Sequence, residues 1–166
     1  EAIAHRLILD ALALGSALPV HPPASLADLG SGAGFPGLPL AIRWPECSVT
    51  LVEARERRHH FQRAAVRTLG LVNVEPRRGR IEAIEAQPHE VVVAQALAQA
   101  DRAIDWMLPW VAPGGWLVLP RSAGAEPVRD APGLEPGRSA PYRVPLGGPD
   151  RELWIARRPV DAPAGP

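Results

Sequence analysis

Two carboxylates and a run of glycines are the residues of this chain best placed to hold a ligand. Asp28-Leu29-Gly30-Ser31-Gly32-Ala33-Gly34 ends one short apolar stretch, and Glu53 ends the next, SVTLVE at 48–53. Glycine lets the backbone turn tightly and come close to a bound group. A carboxylate at the end of a strand can bond both hydroxyls of a ribose. Gly32-Ala33-Gly34-Phe35-Pro36-Gly37 also fits the dinucleotide fingerprint G-x-G-x-x-G, so NAD-dependent hydride transfer is one reading. A turn with no ligand is the plain alternative. Against hydride transfer, the chain has no Lys, and its only Tyr, Tyr142, falls in a Pro-rich C-terminal region. A second set of residues lies at 55–80. Eight Arg (55, 57, 58, 63, 67, 77, 78, 80) stand there against Glu56 and Glu75. Guanidinium forks match phosphate oxygens, which makes this a candidate surface for nucleic acid; a solvated helix face is the alternative. His59 and His60 are neighbours and point different ways on a helix, so no metal site is expected there. Cys47 reads as a packed thiol.

The elements that would position these residues follow from periodicity. Residues 2–14 have Ile3, Leu7, Ile8, Leu12 and Leu14 near helical spacing. This helix opens without an initiator Met or a cap, and residues preceding it are expected. A strand at 25–30 leads into the glycine loop and a short helix ending near Trp44-Pro45. Next come a strand at 48–53 and an Arg-rich helix at 55–69, closed by Gly70 as a C-cap. Strands follow at 72–77 and 90–94. A helix over 97–111 would turn Ala98, Ile104, Met107 and Leu108 inward, before Pro113-Gly114-Gly115 turns into a strand at 116–120. Phe61 is expected in the core, with Trp106, Trp110 and Trp116 against the sheet and Trp44 partly exposed. Strands alternating with helices predict crossover units, hence a mostly parallel sheet with helices on both faces. Residues 121–139 read as a flexible loop. Strands near 141–146 and 152–157, with no helix between them, predict an antiparallel hairpin at the sheet edge. Residues 1–158 are expected to form one domain and 159–166 a tail.

Composition narrows the classes further. The chain has 166 residues, 46% hydrophobic and 22% charged. Its 18 basic residues, all Arg, balance 18 acids. A strongly basic nucleic-acid binder is excluded, though a local basic patch is not. Without Lys there is no Schiff-base or Walker-type chemistry. One Cys excludes an internal disulfide. No apolar run is long enough to span a membrane, and no signal peptide is evident, so a cytoplasmic protein is expected.

Taken in order, D-x-G-S-G-A-G, the acid ending the second strand, EVVVA at 90–94 and APGGWLVL at 112–119 resemble the Rossmann-like class I S-adenosylmethionine-dependent methyltransferases. More narrowly, LADLGSGAGFPGLPLAI resembles the bacterial small-subunit ribosomal RNA guanine-N7 methyltransferases, also called glucose-inhibited division protein B. The F-P-G-L-P-L extension is the specific part. Arg55-x-Arg57-Arg58-x-x-Phe61 in its R-x-E-R-R-x-x-F setting, LGLVNVEPRRGRIE at 69–82 and RELWIARR at 151–158 extend the match over about residues 5–158.

The resemblance implies an α/β fold with a seven-stranded sheet and S-adenosylmethionine as cofactor. Gly30, Gly32, Gly34 and Phe35 would hold its methionine part, Glu53 its ribose, and Ile81 and Glu82 its adenine. Gln95 would sit at both cofactor and acceptor, as a catalytic position with Arg121. Arg55, Arg57, Arg58, Arg121 and Arg151 would contact small-subunit ribosomal RNA, with no metal and no membrane involved and the chain a monomer. Departures from the family pattern bear on activity. Where the family has Arg-Ala-x-Ala, this chain has Gln95-Ala96-Leu97-Ala98; the family's Lys-Gly after the fifth strand is Arg121-Ser122. Its N-terminal His-x-x-Asp/Glu-Ser pattern is only partly present, at Asp10-Ala11, and its helical N-terminal extension is missing. A same-fold methyltransferase with another substrate, or a weakened member that binds RNA or cofactor, is therefore the alternative. No Asn-Pro-Pro-Tyr motif is present, against methylation of an exocyclic amine, and no Pro-Cys, against a cytosine-C5 nucleophile.

Overall fold

The computed structural model describes residues 2–95 and 100–161. Seven strands form one sheet: β1 (Ser25–Leu29), β2 (Ser48–Glu53), β3 (Val74–Arg78), β4 (His89–Ala94), β5 (Val111–Ser122), β6 (Arg138–Arg143) and β7 (Asp150–Arg157). Their order is β3-β2-β1-β4-β5-β7-β6. The first five strands are parallel, and β7 and β6 complete the sheet antiparallel, as the absence of a crossover helix predicts. Chain order reverses at β1, which has β2 on one side and β4 on the other. The carboxyl ends of β1 and β4 therefore open a crevice where open α/β sheets hold ligands.

Alternate strand residues face opposite sides. Leu26, Leu51, Val91, Val93 and Val118 pack against Leu14, Leu38, Leu40 and Trp44, from or just beyond helices α1 (Ala2–Ala17) and α2 (Gly37–Arg43). Ala65 and Val66 of α3 (Glu56–Leu69) join that layer. Ala27, Leu29, Val92 and Leu117 face Ile104 and Met107 of α4 (Ala100–Met107), and Trp110. Helices thus lie on both faces. The second face is also covered by Val128, Ala131 and Leu134 of the long segment before β6, a stretch that its Pro content alone reads as flexible.

Several expectations change. The helix expected over 97–111 is α4 followed by a 3-10 turn at Leu108–Trp110, because Pro109 cannot extend an α-helical ladder. Ala98 lies outside the described residues, and Leu108 is half-buried. Pro113-Gly114-Gly115 is a bulge inside β5 and not a turn before it. Pairing with β4 runs His89 to Val111 and then jumps to Val91 with Trp116. Gly115 makes this possible, since a Cβ there would lie 2.9 Å from the carbonyl oxygens of both Ala112 and Glu90. Phe61 is 55% exposed, and the buried residues of α3 are His59 and Gln62. Trp44 is buried, because Gly15 of α1 lets its ring and Leu40 come close. Ile3, Leu7 and Ile8 are exposed, since the first half of α1 runs past the core. Gly70 caps α3 at φ 64°, as expected, and Cys47 is buried, its thiol pushed up to about 11 chiefly by burial. Of the expected tail, 162–166 lie outside the described residues.

Candidate active site

Asp28 ends buried on β1. Its Oδ2 accepts a hydrogen bond from the Gly37 N–H at 2.9 Å, which pins the start of α2 to the strand. Gly37 must lack a side chain, since a Cβ would meet Leu51 at 2.3 Å and Asp28 Oδ2 at 2.9 Å. The other oxygen, Oδ1, is buried without a hydrogen-bond partner among the described residues. Burial pushes Asp28 up to about 7; the Gly37 bond opposes this, and the charge of Glu53 adds to it.

Glu53 ends β2, 5% exposed. Its Oε2 accepts from the Gly32 N–H at 3.0 Å and its Oε1 from the Arg55 N–H at 2.7 Å; Arg58 stands 3.8 Å from Oε2. The glycine loop is thus tied to β2 by a carboxylate. It is also tied by backbone, with the Gly30 and Ser31 N–H groups both donating to the Val52 carbonyl. Gly30, Gly32 and Gly34 all have positive φ (72°, 59° and 91°), which explains the glycine spacing. Beside the loop a cavity of about 300 Å³ is lined by Gly30, Glu53, Ile81, Glu82 and Trp106. The expected cofactor residues from three strand ends therefore meet at one place. Phe35 and Gln95 lie apart from these, lining a cavity of about 10 Å³ with Asp10 and Leu14, room for no more than one water.

The arginines divide. Arg55, Arg57 and Arg58 are exposed at the start of α3, on the same side as the glycine loop. Arg78 pairs with Glu56 at 2.9 Å. Arg77 turns inward over the Trp110 ring and donates to the Glu85 carbonyl. Arg121 is paired with Glu152 at 3.4 Å and donates to the Glu126 carbonyl, with 16% of its side chain exposed. Arg151 donates to Asp10 Oδ2 at 3.0 Å, while the Tyr142 hydroxyl donates to Asp10 Oδ1. Arg151 thus ties β7 to α1, and Arg121 ties β5 to β7 and to the segment after β5, where the sequence reading puts open RNA contacts. Burial and Asp10 push the Tyr142 hydroxyl far above its ordinary value. His89, buried, stacks on Trp110 and bonds Thr50 and the Gln87 carbonyl; burial lowers its pKa, which keeps it neutral. Among the described residues no group of His, Cys, Asp and Glu could hold a metal ion.

Sequence reasoning missed Gln62. It is fully buried on α3 and donates to Ser31 Oγ at 2.7 Å and to the Gly32 carbonyl at 2.8 Å. Its spacing from Ala65 and Val66 puts it on their face of the helix, but spacing alone does not tell a buried glutamine from a solvated one.

Residues 1–127 match the model of the family rRNA small subunit methyltransferase G. The chain belongs to this family. A methyltransferase G relative from Chloroflexus aggregans is 34% identical over 99% of this chain and 73% of its own length. One from Nocardioides is 43% identical over 76% of this chain and 50% of its own, and one from Salinispora tropica 38% over 97% and 72%. The chain thus spans between about half and three quarters of these methyltransferase G relatives. Among solved structures, a SAM-dependent methyltransferase from Aquifex aeolicus superposes with a TM-score of 0.70 at 18% identity, over 92% of both chains. The mitomycin 7-O-methyltransferase MmcR gives 0.71 at 19% identity over 95% of this chain and 55% of its own. At such identities these two structures bear on the fold alone, and the fold is that of the class I methyltransferases.

Proposed function

We propose that this methyltransferase G family member transfers a methyl group from S-adenosylmethionine to the N7 of a guanine in small-subunit ribosomal RNA, acting in the cytoplasm as a monomer whose residues 1–158 form one domain. The observation that carries the reading is the meeting of the glycine loop, Glu53 and Ile81–Glu82 around one cavity. The residues present fit the cofactor. Asp28 keeps a buried oxygen without a partner among the described residues, two residues before Gly30, and the positive-φ glycines leave backbone groups open to close approach. Gly30, Gly32, Gly34 and Phe35 would hold the methionine part, Glu53 the ribose hydroxyls, and Ile81 and Glu82 the adenine. Bound there, the cofactor supplies an electrophilic methyl group on a sulfonium sulfur.

The protein's part is alignment. N7 of guanine carries a free lone pair, so no side chain has to remove a proton, and proximity is the main contribution asked of the fold. Gln95, just after β4, would donate one neutral hydrogen bond to the guanine edge, whose O6 and N7 are acceptors, once that edge displaces the contents of the small cavity it shares with Phe35. Arg55, Arg57 and Arg58 supply phosphate contacts. Arg121 and Arg151 join them only by exchanging Glu152 and Asp10 for phosphate. Gln95, standing where the family has Arg, favours a second reading, the same reaction on another acceptor. Transfer of label from S-adenosylmethionine to undermethylated small subunits, compared with free RNA, tests both. Label at a guanine N7 is the expected result. Label on another acceptor would sink the first reading, and binding of NAD with no binding of S-adenosylmethionine would sink both. Among the described residues no helix is long and apolar enough to cross a membrane.

A further inference from the structure

We infer that Gln62 is a positioning residue that fixes the conformation of the glycine loop and so sets the affinity for the cofactor. The inference rests on the reading that this loop holds S-adenosylmethionine. Gln62 sits midway along α3, with no exposed surface. Its amide nitrogen has two hydrogens, and both are directed at the loop, one to Ser31 Oγ at 2.7 Å and one to the Gly32 carbonyl at 2.8 Å. The surroundings fix which end of the amide faces the loop. The Gly32 carbonyl can only accept, and Ser31 passes its own hydroxyl proton to the Val52 carbonyl at 3.3 Å. Nitrogen must therefore face the loop, leaving Oε1 buried without a partner among the described residues.

Gly32 is held from two sides. Its N–H goes to Glu53 Oε2 at 3.0 Å and its carbonyl to Gln62. Gly32 has φ 59° and no tight neighbour, since an added Cβ would meet nothing nearer than Arg58 Nη1 at 3.8 Å. Packing does not hold this residue in place; hydrogen bonds do. A glycine left to itself populates several backbone regions, and a loop that samples them binds its ligand more weakly by the fraction of time it spends elsewhere. The burial of one amide in the face of an Arg-rich helix is explained by this task. An apolar residue there would leave the Gly32 carbonyl and Ser31 hydroxyl short of a partner.

The test uses the full chain with Gln62→Met, which keeps the length and removes both donors. Without cofactor, amide exchange over residues 30–34 should speed up about tenfold or more, while β5 and the last turn of α3 keep their protection. By calorimetry the Kd for S-adenosylmethionine should rise about tenfold or more, and kcat at saturating cofactor should stay within about twofold. Ser31→Ala, which leaves the Gly32 bond intact, should give a smaller loss in both. Unchanged exchange and affinity in folded Gln62→Met would overturn the proposal, as would loosening spread evenly over the sheet. If Gln62→Met does not fold, Gln62→Asn offers the same donors one carbon short. Partial loosening of the loop then supports the role, and wild-type exchange refutes it. Failure of the wild type to bind S-adenosylmethionine would instead remove the cofactor reading, while the exchange data would still decide whether Gln62 holds the loop.

Discussion

At the scale of single residues, the two acids of the site have different jobs. Asp28 is raised to about 7 when folded, from an ordinary 3.8. Between those values the folded protein holds a proton that the unfolded chain has released, so this residue's contribution makes stability fall as pH rises. Below about pH 4 both states are protonated, and above about pH 7 both are ionised, so the slope is confined to that window. Asp28→Asn keeps an acceptor for Gly37 and removes the titration. Urea unfolding should therefore show the variant gaining on the wild type from about pH 4 to about pH 7; an unchanged difference would discount the raised pKa. Glu53 already accepts hydrogen bonds from the Gly32 and Arg55 N–H groups, and the loss of charged hydrogen bonds to a ligand costs about 1.5–3 kcal/mol each. Glu53→Ala should then weaken S-adenosylmethionine binding by about 10-fold to 100-fold in calorimetry. Unaltered affinity would refute its assignment to the ribose. Both acids were legible in the sequence, Asp28 because it stands just before the glycine run and Glu53 because it closes an apolar strand. Gln62 was not, because a buried glutamine on a helix is distinguished from a solvated one only by what lies opposite it, and its partners Ser31 and Gly32 lie 31 and 30 residues away. Arg121 and Arg151 were legible as basic residues at strand ends; that Glu152 and Asp10 would take them up depended on the register of β7 against β5 and on the course of α1.

At the scale of elements, local signals predicted most of the parallel half. The strand SVTLVE is β2 residue for residue, and the αL glycine ends α3 where expected. The errors gather where a local pattern has two readings. Pro-Gly-Gly normally marks a turn, yet here it lies inside β5 as a bulge, because the strand pairs with β4 both before and after it. Phe61 looks like core by type, but α3 presents its 59–62–66 row to the sheet and glycine loop, and residue 61 lies about 100° around from Gln62. The bulge makes a sharp prediction. A Cβ at Gly115 would sit 2.9–3.0 Å from three carbonyl oxygens, of Ala112, Glu90 and His89, and backbone cannot swing aside as a side chain would. Gly115→Ala should lower stability by about 1–3 kcal/mol, the usual range for forced overpacking, measured by chemical denaturation. At Gly70, where φ is also positive but nothing lies within 4 Å, the same substitution should cost less, about 1 kcal/mol, from backbone strain alone.

At the scale of the whole molecule, a net charge of zero conceals a division of sign. The exposed arginines at the start of α3 stand beside the glycine loop, Arg58 nearest to it. Toward α4, and adjoining the cofactor cavity at Ile81, Glu82 and Trp106, a cleft of about 570 Å³ is bordered by three acids, Glu82, Glu85 and Asp105, and by Arg158. A polyanion approaching this protein is attracted to one side and repelled from the other, and that polarity orients the encounter before any base is read. RNA should therefore cover the α3 side and leave the acidic cleft open. Arg55 and Arg57 are the probes, both exposed; Arg55 also lines the cofactor cavity, as does Arg58, which in addition stands 3.8 Å from Glu53. Replacing both with Gln should weaken RNA binding and reduce the slope of log K against log salt by roughly 1.4–1.8, two phosphate contacts' worth. Arg57→Gln alone, outside the cofactor cavity, should leave S-adenosylmethionine affinity unchanged. Glu85→Gln with Asp105→Asn should leave the slope as it is and, if anything, raise affinity at low salt through reduced repulsion. Filter binding from low to moderate salt, run on all three proteins, reads each outcome. A slope left unchanged by the arginine pair would place the RNA away from the start of α3, and with it would fall the orientation argued here.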